Sequence, residues 1–569
     1  MTAALASTPP GDAIAAGRAA LAAGEPLEAA QLFHAYASAH PSDHESRYWL
    51  YSALVAAGER DAADLTMEEA RNLHATVVLR ATNADMVGFR ADKAYCAQVG
   101  MQLYAAKLMS AASLCLGRAL NFDALDPQLM ISYGLSLQHQ GRLKEAIDVF
   151  TAAADVFASP VVHEFLLQPI FQVHKGMDRL SEEARAWGDR YVAPLTPPNP
   201  TFANPRTIDR PLRIGYIGPG FTRNQVAQFF VPVLEAHDPE AVKVHLYCAD
   251  PDAEVGLPAT CAVRKIGGVG NEQVAAMIRE DQIDVLVDVW GHFAGSRLPV
   301  FGYRPAPVQV AWINFVQSTG LTCMDYVLHC DGMDVPGTEA YFTEKIWSLG
   351  ELMSPSRPAA QRPDPTPTPA LRNGYVTFGS FNNPAKLDEM TVAAWALILR
   401  ARPADKLVLK YGFFIDPVLQ RATRARFAAY GAQPEQLEFR GHSNGPDYLR
   451  EFQDIDLALD PSPCIGGTTT HDAMANGVPV LANMGDNFYA RAAACTVAPL
   501  GIPELIAQDW DDYVERALAL TADFEALDRL RARIRPAFDA SSYRDEAGFT
   551  RILEDAFRQM VARWIETSA

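Results

Sequence analysis

Between Ile455 and Leu481 the chain reads IDLALDPSPCIGGTTTHDAMANGVPVL. The pattern predicts an apolar strand ending at Asp460, a Pro/Gly loop, and a helix opened by Thr468, Thr469 and Thr470 that carries His471, Asp472 and Met474. Gly466 and Gly467 allow a ligand close to the backbone, and the hydroxyls stand beside first-turn amides that lack an intrahelical acceptor. Unpaired amides at the positive end of a helix dipole attract a diphosphate. Threonines at a helix start also serve as ordinary N-caps, so the motif alone leaves both roles open. No GK[ST] follows and no GxGxxG occurs, which withdraws support from ATPase and dinucleotide readings.

A second stretch, Tyr375 to Leu387, reads YVTFGSFNNPAKL: a strand, two asparagines, then Lys386 just before a helix near Asp388. An ammonium at the mouth of a sheet is placed to neutralise a departing diphosphate, although a solvated loop lysine has the same local pattern. Lys410, ending the next strand, is a weaker candidate of the same kind. Upstream, a strand ending at Trp290 runs into Gly291 and His292, followed by Arg297 and by Arg304-Pro305-Ala306-Pro307. A histidine directly after a strand can orient or deprotonate an acceptor hydroxyl, and it can equally be a structural core residue.

These motifs need a scaffold that brings strand ends together. Leu212–Ile217, Val242–Tyr247, Ile283–Val289 and Val308–Trp312 are β-branched runs separated by helical stretches such as Glu272–Asp281, which predicts a parallel sheet covered on both faces. A proline-rich break at Pro355–Pro369 precedes a second series at Val376–Ser380, Leu407–Lys410, Ile455–Asp460 and Val478–Leu481. Two doubly wound lobes result, with ligands expected in the cleft at the carboxyl ends of the strands.

From Ala13 to about Tyr191 the chain is rich in Ala and Leu at helical spacing, with Gly, Asp and Pro at the turns. Gly24, Ala29, Phe33 and Pro41 recur as Gly141, Ala146, Phe150 and, two residues late, Pro160, while Gly58 and Ala63 follow Gly24 and Ala29 by about 34 residues, the tetratricopeptide period. About four or five helix pairs stacked into a curved arm with a concave binding face are expected, the alternative being a plain helical buttress. The run PLTPPNPTFANP, Pro194 to Pro205, is a linker because proline cannot propagate a helix. The expected domains are therefore residues 1–195 for the helical repeats, 206–360 for the first lobe and 370–569 for the second.

Length and charge bound the function. At 569 residues several cores are required, and 49 Lys+Arg against 68 Asp+Glu, a formal charge of −19, disfavours nucleic acid as a partner. No apolar run reaches the ~20 residues of a membrane span, and Met1–Pro10 lacks signal-peptide character, so no membrane partner and a cytoplasmic location are expected. The eight cysteines are scattered without a CxxC pair, and the Asp454-Ile455-Asp456 triplet leads into an apolar strand, so no metal site is expected.

Three segments in order, GSFNNPAKL, RPAPVQVAW followed by MDYVL, and DPSPCIGGTTTHDAMANGVPV followed by ELIAQDWDDYVERA, together with the repeats, resemble the tetratricopeptide-linked O-GlcNAc transferases and their plant SPINDLY-type relatives. The resemblance spans roughly Ile14 to Arg551, and SPINDLY-type wording is closer than animal wording. It implies a GT-B fold and an inverting, metal-independent transfer of a sugar from a nucleotide sugar to Ser or Thr of a protein, with no cofactor. The positions matching Lys386, Thr468, Thr469 and Asp472 then hold the donor's diphosphate and ribose, with Gly466, Gly467 and Thr470 in the same turn, and the position matching Tyr448 lies beside the base.

The chain also departs from the family. A histidine usual near the acceptor is replaced in Gly220-Phe221-Thr222-Arg223-Asn224, and Asn224 cannot act as a base. The loop WxGYPGTTG is here Trp312 to Gly320, WINFVQSTG, which makes Asn224, Gln317 and Ser318 the candidates on the acceptor side. His292 is the candidate base, with a donor phosphate oxygen as the alternative. The expected function is protein O-glycosylation with the repeat arm holding the acceptor. Alternatives are a catalytically silent scaffold and a transferase using GDP-fucose or a CMP-nonulosonic acid, as in flagellin modification. A homodimer is compatible with such an arm.

Overall fold

The computed structural model describes residues 15–39 apart from 18 and 22, isolated positions between 50 and 59, and residues 93–567 apart from 174–175, 223–225 and 250–255. Pro41, Gly58, Ala63 and Asn224 lie outside the described residues. The chain forms two compact units, residues 1–124 and 125–569.

The first unit contains helices α1 (Pro26–Ala39), α2 (Lys93–Ala105) and α3 (Met109–Leu120). The second begins with four helices, α4 (Pro127–Gln138), α5 (Leu143–Val156), α6 (Pro160–Gln172) and α7 (Met177–Tyr191). Asp126 and Ser159 cap α4 and α6 by accepting from the Leu129 and Val162 amides, each just ahead of a proline at the first helical position. The repeat inferred from spacing has a packing counterpart in each unit. Gly24 and Gly141 take φ of 78° and 75° between helices, and Ala29, Phe33, Ala146 and Phe150 are all fully buried. A Cβ on Gly17 would come 2.6 Å from the Phe33 ring, and one on Gly134 2.5 Å from the Phe150 ring. Glycine is required there because the helices cross too closely for any side chain.

The first lobe is a seven-stranded, wholly parallel sheet in the order β3-β2-β1-β4-β5-β6-β7. Its strands are β1 (Leu212–Gly218), β2 (Val242–Cys248), β3 (Ala262–Lys265), β4 (Val285–Asp288), β5 (Val308–Ala311), β6 (Tyr326–His329) and β7 (Lys345–Ser348), with α8 (Ala227–Ala236) and α9 (Asn271–Glu280) among the crossovers. The second is a six-stranded parallel sheet, β10-β9-β8-β11-β12-β13. It comprises β8 (Thr377–Ser380), β9 (Lys406–Lys410), β10 (Leu437–Arg440), β11 (Leu457–Leu459), β12 (Val480–Asn483) and β13 (Ile506–Ala507). Helices α10 (Glu389–Ala401), α11 (Pro417–Ala428), α12 (Thr468–Ala475), α13 (Phe488–Val497), α14 (Trp510–Leu520) and α15 (Phe524–Ala540) cover it. Strands β1, β4 and β5 and β8, β9 and β12 are buried almost without interruption, as expected of strands covered on both faces.

The last helix, α16 (Glu546–Thr567), returns to the first lobe, where Glu554 accepts from His237 Nδ1 at 2.8 Å and from the Asp238 amide at 3.0 Å. Among the described residues no helix is long and apolar enough to cross a membrane.

Each sheet reverses strand order once, between β1 and β4 and between β8 and β11. The carboxyl ends flanking those two points are where a doubly wound sheet opens a crevice. They carry Gly218-Pro219-Gly220 and the Trp290-Gly291-His292 turn in the first lobe, and Phe381 to Lys386 and the Asp460 to Thr470 turn in the second.

Candidate functional site

At the second crevice the two sequence motifs meet. Lys386 follows β8 on a single 3-10 turn, and its Nζ donates to the Ile465 carbonyl at 2.5 Å and to Asn382 Oδ1 at 3.4 Å. Asn382 Oδ1 also accepts from the Thr469 hydroxyl at 3.2 Å. One buried amide thus ties the lysine strand to the threonine helix.

The turn leading into α12 is held from below. Asp460, at the end of β11 and 3% exposed, accepts from the Gly466 amide at 3.0 Å and from the Thr470 hydroxyl at 2.7 Å. A Cβ on Gly466 would lie 2.3 Å from both partner oxygens, so only glycine fits. Gly467 takes φ of 51° and stands at the N-cap, where no side chain caps the helix. The threonines are therefore not serving as the cap: Thr470 is committed to Asp460, and Thr469 to Asn382 and the Gly466 carbonyl. Thr468 and Thr469 are half-buried at an uncapped helix start facing Lys386. That combination of amides, hydroxyls and a cation suits a diphosphate. Burial pushes the Asp460 carboxyl up to about 6, against the pull of the Thr470 hydroxyl, the Lys386 charge and the Gly466 amide.

One turn further along α12, Asp472 accepts from the Tyr448 hydroxyl at 3.0 Å. Burial raises the Asp472 carboxyl to about 6, opposed by that hydrogen bond. The Tyr448 ring packs 6.1 Å from Phe381 and 5.3 Å from Phe452, and those two rings line a small crevice together with Asn382, Asp460 and Thr469. Lys386, Tyr448, Gly466, Gly467, Thr468, Thr469, Thr470 and Asp472 are thus gathered at one crevice. Lys410 is not part of it. Its Nζ is buried, 2.9 Å from Glu451 Oε1 and 2.8 Å from the Gly441 carbonyl, an ion pair that secures the sheet edge. Asp456 is likewise structural, accepting from the Ala370 and Thr377 amides.

The first-lobe candidates fall elsewhere. His292 is fully buried: Nε2 donates to the Thr319 carbonyl at 2.8 Å, and Nδ1 lies 3.7 Å from Glu164 Oε1 on α6. The Trp187 indole of α7 packs edge-on at 4.7 Å. The expectation that this histidine faces an acceptor in the cleft is corrected, because the repeat helices cover it and one ring nitrogen is already bonded. Ser318 is also occupied. It donates to Glu344 Oε2 at 2.7 Å, and the same buried carboxylate accepts from the Thr319 amide at 2.7 Å, so the pair anchors the 312–320 loop rather than offering a contact to an acceptor. Gln317 is 2% exposed, and its Nε2 has no hydrogen-bond partner among the described residues. Arg297 and Arg304 serve the lobe itself, Arg297 through the Ile266 and Val269 carbonyls and Arg304 through Asp325.

Three residues beyond the sequence-derived set shape the site: Asn382, Asp460 and His471. Asn382 and Asp460 carried a signal, since each is a polar residue within two positions of the end of an apolar strand at a crossover. His471 lies within the motif, but only packing shows which way its ring faces.

The matches to known proteins agree with this geometry. The family model described as Glycosyl transferase family 41 matches residues 194–350 and 368–552. The probable UDP-N-acetylglucosamine–peptide N-acetylglucosaminyltransferase SPINDLY of rice, Oryza sativa subsp. japonica, is 33% identical over 402 residues, 69% of this chain and 43% of that protein. Its counterpart in Arabidopsis thaliana is 33% identical over 400 residues, 68% of this chain and 43% of the relative. The chain thus spans less than half the length of these curated relatives. A solved variant of the Thermobaculum terrenum O-GlcNAc transferase superposes with a TM-score of 0.77 at 26% identity, covering 100% of this chain and 99% of that one. With helical repeats ahead of two doubly wound lobes in the GT-B arrangement and the paired motifs at the second crevice, the chain belongs to glycosyl transferase family 41.

Proposed function

We propose that this chain moves a sugar from a nucleotide-sugar donor to a Ser or Thr hydroxyl of a protein, with inversion at the anomeric carbon and without a metal ion. The observation that carries the reading is the cross-link of Lys386, Asn382 and Thr469 over an uncapped helix start. Lys386 and the amides at Gly467 and Thr468 neutralise the leaving diphosphate, supplying the charge that a divalent cation supplies elsewhere. The ionised Asp472 accepts from the ribose hydroxyls, and the aromatic group around Tyr448 flanks the base. The acceptor oxygen attacks the anomeric carbon from the face opposite the diphosphate, the bond to the phosphate oxygen breaks, and the hydroxyl proton passes to a phosphate oxygen of the donor. His292 is not the base, because the ring is fully buried and its unprotonated nitrogen, Nδ1, faces Glu164 of α6 at 3.7 Å rather than the cleft.

The names of the relatives point to UDP-N-acetylglucosamine as the donor to test first, with GDP-fucose and a CMP-nonulosonic acid alongside. The helical repeats hold the acceptor polypeptide. Titration of the purified protein with the three donors, together with Lys386→Ala and Thr468→Ala, tests the reading. Binding of one donor that both substitutions weaken, with label transferred to a protein hydroxyl, is expected. Binding of none sinks it.

A further inference from the structure

Beside the diphosphate crevice, a cleft open to solvent lies between the lobes. Gly467 and Ile465 form part of its wall on the donor side, while Phe229, Ile313 and Ser354 face them from the first lobe and the segment joining the lobes. Gly467 is also the N-cap of α12. A group carried on a phosphate held at that helix start therefore projects into this cleft. No Asp, Glu, Lys or Arg side chain is among its described lining residues, so uncharged groups must supply the polar contacts.

His471 is one of them. It is 7% exposed and clamped edge-on between the rings of Phe229 at 4.9 Å and Tyr543 at 4.8 Å, so its plane cannot turn freely. Nδ1 lies 3.1 Å from the Gly467 carbonyl, and a carbonyl oxygen only accepts, so Nδ1 carries the hydrogen. Burial pushes the imidazole down to about 4, which leaves the ring neutral at ordinary pH. The remaining nitrogen, Nε2, then bears a lone pair. It has no hydrogen-bond partner among the described residues, yet it is not among the sealed polar atoms, so it opens onto the cleft that His471 lines. A neutral lone pair held rigidly at a cleft wall can receive only a donor group.

We propose that His471 Nε2 accepts a hydrogen bond from a hydroxyl of the sugar carried by the donor, making His471 a specificity-determining residue of the sugar subsite. The assignment rests on the donor reading above. It predicts a contact made to the sugar and not to the nucleotide.

Affinities of the full chain for UDP-N-acetylglucosamine and for UDP alone separate the two. His471→Phe keeps an aromatic ring between Phe229 and Tyr543 but removes the lone pair, and His471→Gln retains an acceptor at nearly the same reach. The expected result is about tenfold weaker binding of the nucleotide sugar by H471F, equivalent to ~1.4 kcal/mol, with UDP affinity unchanged and most of the loss restored in H471Q. Equal weakening of both ligands would make His471 merely a support for the Gly467 turn and overturn the proposal, as would no change in either. Should H471F fail to fold, deoxy-sugar analogues compared between wild type and H471Q decide the matter: one deoxygenation must cost the wild type about tenfold, and none doing so overturns the proposal. Wild-type protein that binds neither ligand overturns the donor reading itself, an outcome distinct from the others, and the role of His471 toward that sugar falls with it.

Discussion

Gly188 of α7 and Gly320 of the first-lobe loop meet backbone to backbone. A Cβ on Gly188 would lie 2.3 Å from the Gly320 carbonyl oxygen, and one on Gly320, whose φ is 73°, would lie 2.0 Å from the Ala184 carbonyl oxygen. Ser181 and Arg185 of the same helix donate to the Tyr341 and Ala340 carbonyls nearby. The last repeat helix is thus built into the first lobe, and this contact is what buries His292.

Gly320→Ala should therefore be costly. It combines a left-handed backbone with a clash against main chain that cannot rotate away, and a loss of more than about 2 kcal/mol is expected. Urea unfolding of the full chain checks this, and an unchanged midpoint would contradict the close approach.

Lys386→Ala and Thr468→Ala are expected to leave the unfolding midpoint nearly unchanged while lowering transfer by ~10²–10³ for the lysine and less for the threonine. Single-turnover rates with saturating donor measure the effect. A lysine variant within about twofold of wild type would remove Lys386 from the leaving-group site.

Asp288, fully buried beneath the His292 turn, has its carboxyl pushed up to about 7 by burial, against the Gly291 and Trp290 amides. Its ordinary value is 3.8, so between the two values the folded protein holds a proton that the unfolded chain releases. This group's contribution is complete below pH 3.8 and is lost as pH rises through about 7. In Asp288→Asn that part of the pH slope, on the order of a few kcal/mol, should vanish. Denaturant titrations at pH 5 and pH 8 compare the two proteins, and identical slopes would refute the assignment.

Tyr448→Phe removes the hydroxyl that stabilises the Asp472 carboxylate, so the Asp472 value should move above about 6. If the ionised carboxylate binds the ribose, donor affinity falls as pH drops through that value, and in Y448F the fall begins at a higher pH. Asp460 titrates near the same pH in both proteins, so the comparison between them isolates Asp472. Coincident pH profiles would argue against an Asp472 contact to the donor.

The features legible in the amino-acid order are those that depend on neighbours along the chain. Strand, turn and helix follow from β-branched runs ending at Asp460 and Ser380, from Gly466 and Gly467 at the turn, and from the recurring Gly, Ala and Phe of the repeats, because each of these preferences acts over a few residues. Strand order placed the two motifs together, and parallel crossovers constrain that order strongly. The availability of single polar groups was settled by long-range packing. His292 reads like a cleft residue until α6 and α7, more than a hundred positions away, close over it. Ser318 reads like an acceptor contact until Glu344 accepts its hydrogen bond, and His471 reads like one more helical residue until Phe229 and Tyr543 orient its ring. A side chain's availability depends on which distant surface is packed against it, and that information is held in the fold rather than in the local pattern.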